Sequence, residues 1–144
     1  MKSRHRAREI ALQILYQYDL EVHSSGQLPP QGQALVGSLV HHFEHFQVPE
    51  GLREFISQLV VGTLQEVTKL DEVLEKHASH WKVARMSSVD RSLLRMIAYE
   101  MLHIKDVPHS VLIDEAVELA KQFGTSESPA FINGILDSIK TSAQ

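Results

Sequence analysis

Apolar positions recur along this chain at steps of three and four, the spacing that lays a buried stripe along an α-helix. The first run is Ala7, Ile10, Ala11, Ile14, Leu15 and Tyr18. Residues 23–33 are rich in Gly, Pro and Ser and predict a loop. Leu35, Leu39, Val40, Phe43 and Phe46 mark a second helix, which Val48-Pro49 breaks. A third carries Leu52, Phe55, Ile56, Leu59, Val60, Thr63, Leu64 and Val67. It either continues or restarts near Thr68, through Leu70, Val73, Leu74 and His77. His80 to Met86 reads as a connector or short helix. Ser87 to Asp90 has the form of a capping box, with Ser87 as N-cap and Asp90 in the N3 place. The helix behind it carries Leu93, Leu94, Ile97, Ala98, Met101 and Leu102, and Asp106-Val107-Pro108 ends it. Val111, Leu112, Leu119, Ala120 and Phe123 give another helix, with Gly124 in the place of a C′ glycine. Ser128-Pro129 opens the last, with Pro129 at N1 and a stripe of Ile132, Ile135, Leu136 and Ile139.

No segment keeps the two-residue period of a strand, and no internal repeat is evident. The expected fold is therefore all-α, six to seven helices with short connections. A chain of 144 residues fits a single domain, 1–144. If it forms two sub-bundles, they are expected to be 1–68 and 69–144.

Charge adds a functional hint. The formal net charge is −4, which argues against a binder of nucleic acid over its whole surface. Yet residues 2–8 hold Lys2, Arg4, Arg6 and Arg8 among one run without an acid. Arg4 and Arg8 lie one turn apart and share a helix face; Arg6 lies off it. Cations at a helix N-terminus oppose the macrodipole, by typically 0.3–1 kcal/mol each. Helix stability alone gives no reason for them there. An anionic partner does, and a solvated, frayed terminus is the bland alternative. Lys82, Arg85, Arg91 and Arg95 form a second basic group, which either extends a nucleic-acid track or pairs with nearby acids.

Other chemistry is thin. There is no cysteine, which excludes disulfides, thiolate catalysis and Cys-based zinc sites and suits a reducing, cytoplasmic setting. No apolar run approaches the ~18–20 residues of a membrane span, and the basic start lacks the apolar stretch of a signal peptide. His41 and His45 are four apart, as zinc ligands on a helix are. The Glu directly precedes the second His, unlike the zinc-protease pattern, and no third ligand is marked, so solvated surface is the better reading. Asp114 and Glu118 also share a face; a solvated acidic face is favoured over paired catalytic carboxylates. No phosphate loop and no Ser-His-Asp set is present. Catalytic, metal and cofactor sites are therefore all expected to be none. Tyr16 stands off the main stripe of its helix and Phe131 beside a Pro-led helix start, where an aromatic ring either packs or stacks on an unpaired base.

Four stretches in order and register resemble the NusB family. They are Arg4 to Tyr16 (RHRAREIALQILY), Val89 to Glu100 (VDRSLLRMIAYE), Val107-Pro108 with 113–121 (IDEAVELAK), and Phe123-Gly124 with 131–137 (FINGILD). The resemblance spans the chain, although about 23–60 share only the helical pattern. It implies two roughly perpendicular helical bundles and a non-enzymatic transcription antitermination factor. It implies binding of the single-stranded boxA element of ribosomal RNA operon transcripts. It also implies a heterodimer with NusE, a ribosomal small-subunit protein, with other Nus factors and RNA polymerase engaged indirectly. Carried to this sequence, the RNA-binding set is Lys2, Arg4, Arg6 and Arg8, with Tyr16, Glu127 and Phe131 at positions the family associates with RNA or partner contact. His5 stands where the family often has another arginine. Self-association stays open, since some members dimerise.

Two rival readings remain. One is the RNA-binding N-terminal domain of an RsmB-type ribosomal RNA methyltransferase, which needs a downstream methyl-donor domain; the sequence up to Gln144 holds none. The other is a pure protein-interaction module in which the arm is inert.

Overall fold

The computed structural model describes residues 2–142, and the side chains of 3–142. Among these there are seven α-helices and no strand: α1 (Lys2–Ser25), α2 (Gly32–His45), α3 (Glu50–Gln65), α4 (Val67–His77), α5 (Ser88–Tyr99), α6 (His109–Phe123) and α7 (Ser128–Ser142). The all-α expectation holds, with each helix built on the stripe that announced it. A 3-10 turn, Val83–Arg85, lies in the connector before α5, and a π-turn, Glu100–Ile104, follows α5 directly.

Two compact units divide the contacts, 1–65 and 66–144. In the first, α1 packs mainly on α3, and α2 rests more lightly on α3. Ala7, Ile10, Ile14 and Tyr18 of α1, Leu39 and Phe43 of α2, and Ile56, Leu59 and Val60 of α3 are all buried. α1 runs three residues into the predicted loop. It stops where Gly26 takes a positive φ of 76° and its N–H donates to the Val22 carbonyl oxygen at 2.9 Å, a conformation glycine adopts without strain.

In the second unit α5 is the hub, packing on α4, α6, α7 and the π-turn, while α6 and α7 form the closest pair. Leu93, Leu94, Met96, Ile97 and Ala98 are fully buried, which leaves α5 little free face, and Met101 of the π-turn is buried behind them. The junction before α4 is a restart at Val67 after Glu66 leaves helical geometry. The Ser87 N-cap forms as expected, its Oγ accepting from the Asp90 N–H at 3.1 Å. The box is only half made: Asp90 Oδ1 is buried without a partner among the described residues. An Asp at N3 is one methylene shorter than the Glu that usually reaches back.

Gly124 differs from its expected role. Its φ is −95°, not the left-handed value of a C′ glycine. A Cβ here would lie 2.5 Å from Ser128 Oγ and 2.9 Å from the Ala120 carbonyl oxygen, so close approach of α7 demands the glycine.

Candidate nucleic-acid interface

The basic start folds as the opening turns of α1. Lys2 lies in that helix, but its side chain is outside the described residues. Arg4 and Arg8 share a face, as their spacing predicts. Both turn toward Phe55 of α3, with guanidinium carbons 4.1 and 5.6 Å from the ring centroid. Such contacts are cation–π interactions, worth about 0.5–1 kcal/mol when exposed and more when desolvated. They offset part of the cost of holding cations at a helix N-terminus.

Exposure separates the three arginines. Arg6 is exposed, Arg4 is half-buried, and Arg8 is only 2% exposed. Arg8 belongs to a second buried row on α1, with Leu12, Leu15 and Asp19. It is therefore placed to hold the arm, while Arg6 offers its charge to solvent and Arg4 stays partly open. His5 lies 3.8 Å from Glu9, so any charge it gains faces an acid. Tyr16 is half-buried.

The second basic group splits. Arg91 is 3% exposed and donates to the carbonyl oxygens of Val83 (3.0 Å), Ala84 (3.4 Å) and Met86 (2.7 Å), clamping the 3-10 turn. Arg95 forms a bidentate pair with Asp71 of α4, at 2.7 and 2.9 Å. Pairing with an acid thus describes Arg95, and carbonyl capping describes Arg91. Lys82 and Arg85 stay exposed.

Glu127 is exposed immediately ahead of α7, and the half-buried Phe131 lies one turn on, its N–H donating to the Glu127 carbonyl oxygen at 3.2 Å. The turn before α7 is fixed by Ser128 Oγ, which accepts from the Thr125 N–H at 3.0 Å. Against Phe131 lies Trp81, edge to face, with ring centroids 5.6 Å apart. Sequence reading placed Trp81 only in a connector. Its signal was there: the one tryptophan of the chain stands in a polar segment one residue from Lys82 and four from Arg85.

The histidine run divides in the same way. His41 and His45 are exposed, but His42 is 7% exposed, stacked on Phe46 and edge-on to Tyr18. A shallow cavity of about 280 Å³ beside it, between α1 and α2, is lined by Tyr18, Glu21, Ser38, His41 and His42 among others. No cluster of three metal-ligating side chains occurs among the described residues. Asp114 and Glu118 are exposed. No helix is long and apolar enough to cross a membrane among the described residues.

Comparison with known proteins bears on this arrangement. Residues 5–141 match the NusB family. The transcription antitermination protein NusB of Desulfatibacillum aliphaticivorans is 43% identical over 139 residues, covering 96% of this chain and 90% of that protein. That of Bacillus cereus strain B4264 is 42% identical over 137 residues, covering 95% and 96%. Among solved structures, NusB of T. maritima is 30% identical with a TM-score of 0.81, covering 96% of this chain and 90% of that one. A chain from a crystal structure of the antitermination factors NusB and NusE in complex with double-stranded RNA shares the fold, with a TM-score of 0.81 at 24% identity, covering 99% and 98%. With the family matched from His5 to Thr141 and the relatives aligned along nearly their full length, the chain belongs to the NusB family of transcription antitermination proteins.

Proposed function

We propose that the chain is a non-enzymatic antitermination factor that binds the single-stranded boxA element of ribosomal RNA operon transcripts as a heterodimer with NusE. The observation that carries this reading is the family match over residues 5–141. The relative crystallised with NusE and double-stranded RNA supports the pairing of a protein partner with an RNA ligand. Action on a nascent transcript places the factor in the cytoplasm, where other Nus factors and RNA polymerase are reached through the assembled complex.

The mechanism is binding. Arg6 and Arg4, with Lys2 ahead of them, hold the phosphate backbone, and Arg8 keeps the arm in place from inside the fold. Unpaired bases are read where they can be stacked or hydrogen-bonded, at Tyr16, Phe131 and Glu127. Each phosphate contact on a single strand contributes about −0.7 to the salt slope, so Lys2, Arg4 and Arg6 together give a slope of about −2.1. Affinity of the chain alone is accordingly modest, and NusE adds its own RNA surface.

The test is fluorescence anisotropy with a boxA RNA and a scrambled control, with and without NusE, at two salt concentrations. Selective, salt-sensitive binding that NusE strengthens is the expected result. If neither the chain nor the mixture prefers boxA, the RNA reading fails. A protein-interaction module then takes its place.

A further inference from the structure

Trp81 is 54% exposed, although burying a large aromatic side chain stabilises a fold. Its setting is built rather than loose. Ser79, two residues before it, holds a positive φ of 54°, uncommon for a residue with a Cβ. The Trp81 N–H donates to the Ala78 carbonyl oxygen at 3.1 Å. Two residues on, the Val83 N–H donates to Glu75 Oε2 at 3.0 Å, and Arg91 grips the carbonyl oxygens of Val83 and Met86. Val83 itself is buried. The backbone on both sides is thus pinned, and the indole between is presented outward against Phe131. An edge-to-face contact covers at most one face of either ring, which leaves aromatic surface open to a third ring.

The charges around this pair sort by type. Lys82 and Arg85, both exposed, stand in the same connector. Glu127, exposed one turn ahead of Phe131, repels phosphate and accepts hydrogen bonds from base N–H groups. A ligand that suits all five has a flat ring for the aromatics, a donor edge for the carboxylate and an anion for the cations. A nucleotide in an unpaired strand meets those terms; a base in a duplex does not, because both its faces are already stacked.

Resting on the RNA-binding reading above, we infer that Trp81 and Phe131 form a two-ring platform on which an unpaired RNA base stacks, with Lys82 and Arg85 taking the adjoining phosphates. Trp81 is the new member of the site, a residue that sets preference for unpaired over paired RNA.

The chain supplies its own probe, because Trp81 is its single tryptophan. Unmodified protein is titrated with single-stranded boxA RNA and with the same sequence in a duplex, following Trp81 emission and anisotropy together. The platform predicts quenching of Trp81 by the single strand, tracking the anisotropy, and much weaker quenching by the duplex. Trp81→Ala weakens single-strand binding about tenfold, the loss of one stacked base, and Trp81→Phe restores most of it. Neither changes the salt slope, since no charge is removed. Thermal melting of both variants shows that they fold, and the emission of the unmodified chain needs no variant. If RNA binds with the salt dependence of the arm but Trp81 emission and the Trp81→Ala affinity stay unchanged, the platform is wrong and the RNA reading stands. A blue shift of Trp81 on adding NusE without RNA, with a weakened heterodimer in Trp81→Ala, makes the patch a protein contact instead and overturns the inference. If no RNA binds under any condition, the RNA reading falls and the platform falls with it.

Discussion

Arg6 and Arg8 are two residues apart in one basic run, yet the fold gives them opposite surroundings. Arg8 packs its stem in a buried row and brings its guanidinium to 5.6 Å from the Phe55 ring centroid, whereas Arg6 is exposed. Replacing Arg8 by Ala removes both stem packing and the ring contact, so stability should fall by about 1–3 kcal/mol in chemical denaturation. Arg6→Ala should change stability by no more than about 0.5 kcal/mol, and should take roughly 0.7 from the salt slope of RNA binding. A folded Arg8→Ala protein that loses RNA affinity at full stability would put Arg8 back among the RNA contacts. The shared face of Arg4 and Arg8 was legible from their spacing. Their inward turn was not, because it depends on Phe55, more than forty residues away in the chain. A local sign existed all the same: Arg8 stands one turn before Leu12 and two before Leu15, both buried. Arg91 was opaque for a similar reason, since it grips the backbone oxygens of Val83 and Met86, which no side-chain pattern announces.

Caps and stripes carried most of the information about elements. Ser87 caps α5, Pro129 sits in the first turn of α7, and Gly26 ends α1 in the left-handed conformation. The π-turn at Glu100–Ile104 was invisible, because a one-residue slip in hydrogen bonding scarcely disturbs a helical stripe over five residues. Gly124 was recognised as a necessary glycine for the wrong reason, and the two reasons predict different substitutions. A left-handed C′ position accepts Asn nearly as well as Gly. Here φ is −95° and the obstacle is steric, with the Ser128 Cβ 2.6 Å and the Ala120 carbonyl oxygen 2.9 Å from any added Cβ. Gly124→Ala and Gly124→Asn should therefore both lower stability, by about 1–3 kcal/mol, as overpacking does. Ser128→Ala should not rescue either variant, since the close Cβ and backbone oxygen remain. Thermal melts of the three single and two double variants check this. A tolerated Asn would restore the left-handed explanation.

For the molecule as a whole, the balance of charge and stability turns on histidine. The formal charge is −4 with nine histidines counted neutral, and full protonation would carry it to +5. Acid therefore increases non-specific attraction for any polyanion, and the proposed preference for boxA over a scrambled strand should narrow. Stability moves the other way. His42 lies between Phe46 and Tyr18, and burial lowers its pKa below 6.5, aided by neighbouring His41 and His45 and opposed by Glu21. The unfolded chain thus takes up a proton near pH 6.5 that the folded chain accepts only at lower pH. Below 6.5 the unfolded state binds more protons, so stability falls as pH falls; above that value His42 contributes no slope. The melting temperature should drop between pH 7 and pH 5, and His42→Gln, which cannot take that proton, should drop less. The position of His42 could be read from the sequence only by counting along α2: Leu35, Leu39, His42 and Phe46 keep the helical step, while the pair at 41 and 45 faces out. Equal acid slopes in the two proteins would assign the loss to other groups. A flatter slope in the variant would mean that one buried imidazole, chosen for packing between two rings, sets how far into acid the RNA-binding form of the chain persists.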